Sequence, residues 1–224
     1  MTFGPLPVHV RESGRQRRPD APVPGRRDVL ALASLMLEYP DDELCDLRAG
    51  LSEAVASLPR SASATDLRRF CTWFEATEPA VLRVEYVRTF DHRLRNALYV
   101  TFAPYGDTRS RGSALAGFRR RYHEAGLVES EGELPDYLPT VLQFAAQAED
   151  GPAGEALDEA RTGIETIELS LSTRRSPYAG VLRAVRRCLP PGRPRERLRV
   201  VPGGEAESDG CACPTHLRTE GAST

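Results

Sequence analysis

The chain has 224 residues, 40% apolar and 28% charged, which suits a globular protein of one domain with tails. Its formal net charge of −2, with 30 basic residues that are all arginine, argues against a nucleic-acid binder, which normally carries a basic domain. The longest apolar run, Val29 to Leu37, is far short of the roughly 20 residues that span a bilayer, so no direct membrane insertion is expected.

The charge is uneven. Residues 1–27 hold six Arg against two acidic residues, 190–224 balance at five of each, and 28–189 carry a net −6. An acidic centre steers basic partner segments, although a generic solvated surface fits the charge equally well. Cys45, Cys71, Cys188, Cys211 and Cys213 are odd in number and irregular in spacing. With no secretory signal before them, they fit a reducing, cytoplasmic setting.

In chain order, residues 1–27 are rich in Pro and Arg and predict a disordered tail. Arg26-Arg27 faintly resembles a twin-arginine export signal, but Glu38 closes the apolar run and no small-residue cleavage site follows. A first core helix is the better reading, with Asp28 as N-cap and Val29, Leu32, Leu35 or Met36, and Tyr39 at helical spacing. Pro40 ends it.

Asp41 or Asp42 caps a second helix bearing Leu44, Leu47, Leu51, Val55 and Leu58, stopped by Pro59. A third carries Leu67, Phe70, Cys71 and Phe74, and a fourth starts near Pro79 with Leu82, Tyr86 and Phe90 (or Val87) on one side. Further helices are expected over 93–102, 109–125, 136–149, 153–173 and 177–189, with Gly126 as a left-handed helix end. Residues 190–224 predict a second disordered tail, rich in Pro and Gly. No stretch alternates with period two, so the fold class is all-α: a globular bundle of about nine helices over 28–189.

Two polar blocks interrupt this pattern. Tyr99 to Tyr105 leads into Gly106-Asp107-Thr108-Arg109, where Asp107 or Thr108 can cap the following helix. A loop with solvated arginines accounts for this block; so does a groove lined by aromatic side chains that capture a peptide. The second block is Glu133-Leu134-Pro135-Asp136-Tyr137-Leu138-Pro139. Pro135 fits a first helical turn, Pro139 kinks or delays the helix, and Glu133 and Asp136 are then expected to face solvent. They either meet a bound peptide or simply complement a helix N-terminus.

The ordered pattern YxxTFD (86–91), YGDTRSRG (105–112) and ELPDYLP (133–139), opened by YPDDEL at 39–44, resembles the assembly chaperones of respiratory nitrate reductase. These are the NarJ type within the TorD-like molybdoenzyme chaperones. The resemblance covers about 60 residues closely. It departs from the common pattern at Tyr137 and Gln143, where His and Glu are frequent.

The resemblance implies a non-catalytic chaperone that binds the N-terminal segment of the molybdenum-containing catalytic (alpha) subunit of nitrate reductase. It would assist molybdenum cofactor insertion without keeping the cofactor, hold off membrane docking, and meet cofactor-biosynthesis proteins as further partners. The candidate client-binding residues are Tyr86, Phe90, Tyr99, Tyr105, Asp107, Arg109, Glu133, Pro135, Asp136 and Tyr137. The alternative is a helical peptide-binding regulatory or scaffold protein unrelated to molybdoenzymes.

Other constellations are weak. Asp91 and His92 are neighbours and point apart on a helix, and with His123 they give only a conceivable metal hydrolase. Cys211, Cys213 and His216 form an incomplete zinc pattern in the expected tail. No phosphate-binding glycine loop or nucleophile elbow occurs.

Overall fold

A computed structural model describes residues 23–92, 96–128 and 132–191. The predicted tails, with Cys211, Cys213 and His216, lie almost entirely outside the described residues. Arg26 and Arg27, assigned to the first tail by sequence, instead open helix α1 (Arg26–Met36). Gly25 at its N-cap takes φ 69°, and Asp28 lies in the first turn rather than at the cap. Arg26 Nε donates to the Cys188 carbonyl at 2.9 Å, which ties the start of α1 to the end of the helical unit.

Asp41 caps α2 (Asp42–Asp46) by accepting from the Leu44 nitrogen at 2.8 Å. The single helix expected over this region is two, because the chain breaks at Leu47 before α3 (Arg48–Ser57). The Arg48 guanidinium satisfies the break: it donates to the carbonyls of Cys45 at 2.7 Å and Thr77 at 3.1 Å. Ser61 caps α4 (Ala62–Ala76), and Pro79 opens α5 (Pro79–Tyr86). A π-helical turn, Val87–Asp91, continues α5.

The short α6 (Phe102–Tyr105) and α7 (Arg109–Glu124) follow, and Gly126 ends α7 at φ 74° as its position predicts. The remaining helices are α8 (Leu138–Gln147), α9 (Asp150–Thr173) and α10 (Ala179–Arg187). The class is all-α, as expected; among the described residues the one strand-like feature is a bridge between Tyr99 and Tyr137.

Helix α10 packs against α1, α4 and α9, and α8 bridges α1 and α9. The reason is written in α10: Val181, Leu182, Ala184 and Val185 are all fully buried, while Arg183, Arg186 and Arg187 point to acidic partners. Beside it, Phe70, Trp73, Phe74, Tyr86 and Phe90 cluster with the buried ring of Tyr178.

One sequence expectation fails next to the polar blocks. The helix expected over 93–102 does not appear in its described part. Residues 96–101 run as turns and an extended bridge, held by Val100 N to Asp136 O (3.0 Å) and Leu138 N to Leu98 O (2.7 Å). Gly163 of α9 makes room for this segment, since a Cβ there would lie 2.3 Å from the Val100 carbonyl oxygen. At Pro139, expected either to kink the helix or to delay its start, the delay is what occurs. Helix α8 starts only at Leu138, so Pro139 sits in its first turn, where a missing N–H costs nothing.

Candidate functional site

The bridge between residues 98–101 and 136–138 sorts its side chains by the period of two that extended backbone imposes. Leu98, Val100, Asp136 and Leu138 point inward and are buried. Tyr99 and Tyr137 point outward and stay half-buried, with ring centroids 5.7 Å apart. The two polar blocks, 34 residues apart at Tyr99 and Glu133, are thereby brought into one surface.

Each tyrosine reaches a carboxylate. Tyr99 Oη donates to Glu133 Oε1 at 2.9 Å, and the same oxygen accepts from the Leu134 nitrogen at 3.2 Å. Tyr137 Oη lies 3.4 Å from Glu38 Oε2 and 3.3 Å from Tyr86 Oη, which donates to the Leu37 carbonyl at 3.0 Å. Burial, then the Glu133 hydrogen bond, pushes the Tyr99 phenol up to about 12. Burial also raises Tyr137 and Tyr86, so all three are protonated donors at neutral pH. Burial raises Glu38 too; Glu133 and Asp41 add to this, and the hydrogen bond from Tyr137 opposes it.

The exposed edge of this surface was not apparent from sequence. Of the two alternatives at one helical position of α1, Met36 is buried and Leu35 is 46% exposed; Tyr39, also expected on that face, is 45% exposed. Tyr39 packs edge-on against the Tyr86 ring at 5.5 Å. With Glu38 between them, these residues extend the Tyr99–Tyr137 surface. Their i, i+3, i+4 spacing was the available signal, but it does not say which way a terminal turn faces.

Asp136 corrects the sequence reading most sharply. Expected at the surface, it is fully buried. Its Oδ2 accepts from Thr101 Oγ1 at 2.5 Å and Thr101 N at 3.2 Å, with Arg111 Nη2 at 3.7 Å. Asp136 therefore fastens the bridge from below. Pro135 is buried as well, and its carbonyl accepts from Tyr122 Oη at 2.6 Å. Tyr86 and Phe90 are buried at 5% and 3%; Phe90 packs against Tyr178 and underlies the surface rather than lining it.

The first polar block divides. Tyr105 Oη donates to Glu159 of α9 at 2.8 Å, which anchors α6. Asp107 and Arg109 are exposed, and among the described residues no hydrogen bond or ring contact joins them to the Tyr99–Tyr137 group. Thr108 holds the N-cap position of α7 without a side-chain cap bond; its hydroxyl donates to the Tyr105 carbonyl instead. His92 and His123 are exposed, and the described residues contain no cluster of three His, Cys, Asp or Glu able to hold a metal. Cys45, Cys71 and Cys188 are buried and free.

The family described as nitrate reductase delta subunit matches residues 47–184, more than half of the chain. The probable nitrate reductase molybdenum cofactor assembly chaperone NarJ of Bacillus subtilis is 31% identical over 160 residues, covering 70% of this chain and 85% of its own length. The NarJ chaperone of Escherichia coli K12 is 30% identical over 153 residues, covering 67% and 64%. The nitrate reductase-like protein NarX of Mycobacterium tuberculosis H37Rv is 32% identical over 157 residues; the match takes in 70% of this chain but only 24% of NarX.

Proposed function

This chain belongs to the nitrate reductase delta subunit family, and on that premise we propose that it is an assembly chaperone for molybdenum cofactor insertion into a nitrate reductase. Its client is the catalytic subunit, bound chiefly through an N-terminal segment and held from membrane docking until the cofactor is in place. The chaperone works in the cytoplasm and catalyses nothing itself. No described helix is long and apolar enough to cross a membrane.

One observation supports this reading above the others. The bridge between Tyr99 and Tyr137 gathers three tyrosines and two carboxylates, Glu38 and Glu133, beside exposed Leu35 and Tyr39. Half-buried aromatic rings give apolar contact area at low entropy cost, and carboxylates at the rim favour a basic segment. Such a surface suits reversible capture of an amphipathic peptide.

The test is calorimetric titration with a synthetic peptide from the N-terminus of the nitrate reductase catalytic subunit of the same organism. Saturable binding near micromolar affinity, about −8 kcal/mol, is expected. Glu133→Ala and Tyr39→Ala should weaken it without changing the fold. A folded chain that shows no heat of binding would remove the N-terminal segment as its client.

A further inference from the structure

Three carboxylates crowd the outer edge of the Tyr99–Tyr137 surface without a counter-charge. Glu38, Asp41 and Glu133 have no ion-pair partner among the described residues. After burial, the charges of Glu133 and Asp41 raise the Glu38 carboxyl, against the hydrogen bond from Tyr137, so the three lie close together. Exposed Leu35, Tyr39 and Leu134 stand beside them. Like charges beside open apolar area are relieved by a segment that carries arginine and apolar side chains together.

The chain supplies such a segment. Residues 1–22 hold Arg11, Arg15, Arg17 and Arg18 against Glu12 and Asp20. Ahead of the arginines, Leu6, Val8 and Val10 fall on one side of an extended strand, and Pro5 and Pro7 disfavour a helix there.

The route is short. Val23 packs against the core, so the preceding chain leaves from a fixed point, and Gly25 at φ 69° turns it away from the α1 axis. Arg27, Ala31 and Leu35, four apart on α1, are exposed, and Glu38 and Tyr39 continue that row to the tyrosine surface. At 1.5 Å per residue, Leu35 to Tyr39 lie ~15–20 Å from Gly25. Arg17 and Arg18 reach ~23–26 Å from Gly25 in an extended chain, which brings them to Glu38 and Asp41. Leu6, Val8, Val10 and Arg11 come earlier in the chain and extend far enough to cover Tyr99, Tyr137 and Glu133.

We propose that residues 1–22 fold back along α1 and cover this surface, with their arginines on Glu38, Asp41 and Glu133, so that the client must displace the chain's own tail. The competition rests on the client-binding reading given above; the self-contact does not. A short tether gives an effective concentration of about 1 mM, so a tail that binds in trans at ~100 µM covers the surface about 90% of the time. Such cover is strong enough to keep other segments off and weak enough to yield to a micromolar client.

The test uses the full-length parent and a full-length variant carrying R11S, R15S, R17S and R18S. A fluorescein-labelled peptide of residues 1–22 is titrated with each by anisotropy. The variant should bind it saturably, and the parent about 10-fold more weakly because its own tail is already seated. Adding Glu38→Gln and Glu133→Gln to the variant should weaken the peptide about 10-fold again. The client peptide should bind the variant about 10-fold more tightly than the parent. If it binds neither chain, the client-binding reading falls, and the labelled tail peptide still decides the self-contact. No saturable binding of the tail peptide by the variant would overturn the proposal, as would equal binding of either peptide by parent and variant. So would light scattering that shows the parent as a dimer where the variant is a monomer, since the tail would then cover a second copy.

Discussion

Asp136 Oδ2 sits 2.5 Å from the Thr101 hydroxyl and 3.2 Å from the Thr101 nitrogen, wholly out of solvent, although Glu133, three residues earlier, lies at the surface. Two acidic residues of one short motif thus have different work. Asp136 satisfies two donors of a segment that has no helix to bond them, and so fixes the backbone on which Tyr99 and Tyr137 stand. Glu133 holds the Tyr99 hydroxyl from the outside.

Replacing the two separately should expose that division. Asp136→Ala leaves the buried Thr101 donors and the nearby Arg111 guanidinium uncompensated, and should cost about 3 kcal/mol. Glu133→Ala should stay within about 0.5 kcal/mol of the parent, as half-exposed positions usually do. Urea denaturation of both variants measures the difference. Equal stabilities would refute the buried role of Asp136.

The helices were legible from sequence because their signals are local: Asp41 as a cap, Pro79 at a first turn, Gly126 as a helix end. Contacts between distant segments were not. The 96–101 segment looked helical, and only pairing with 136–138 and the missing side chain of Gly163 make it extended. The same pairing turned Asp136 inward, since alternation along a bridge cannot be read before the bridge is known. Motif order located the correct stretch of chain, while the face each residue presents came from its long-range partners.

Gly163 gives a second test. Alanine is ordinarily favoured over glycine within a helix by about 1 kcal/mol. Here the new Cβ would meet backbone at 2.3 Å, with no flexible side chain to yield, so Gly163→Ala should destabilise by about 2 kcal/mol or more. Gly154, in the same helix, has open space around it, and Gly154→Ala should stabilise by about 0.5–1 kcal/mol. Opposite signs within one helix are the expected outcome of thermal denaturation.

Asp66 governs stability in acid. It is 7% exposed, and Arg183 and Arg187 bond it at 2.8–3.1 Å. Burial alone would raise its carboxyl, but these guanidinium hydrogen bonds outweigh it and hold the group below its ordinary 3.8. The unfolded chain therefore binds this proton first. The stability contributed is complete above pH ~4 and is lost as pH falls through the lower folded value. Asp66→Asn should lose about 2 kcal/mol at pH 7, and its stability should change less than the parent's below pH 4. Parallel denaturation curves between pH 2.5 and 7 provide the check.

Glu38 should show the reverse slope. Three contacts, from Tyr86 to the Leu37 carbonyl, between Tyr86 and Tyr137, and between Tyr137 and Glu38, share only two hydroxyl protons when Glu38 is ionised. Burial raises the Glu38 carboxyl above 4.5, so the folded chain holds that proton at pH values where the unfolded chain has released it. Stability therefore falls as pH rises from about 4.5 through the folded value, and the full cost remains above it. Glu38→Gln supplies a neutral amide that can donate to Tyr137 Oη while Tyr137 donates to Tyr86. The variant should be more stable than the parent at pH 8, and its stability should vary less than the parent's from pH 4.5 upward. Denaturation at pH 5 and pH 8 decides the matter: an equal drop in both proteins would place the pH dependence elsewhere and leave Glu38 as an ordinary surface carboxylate.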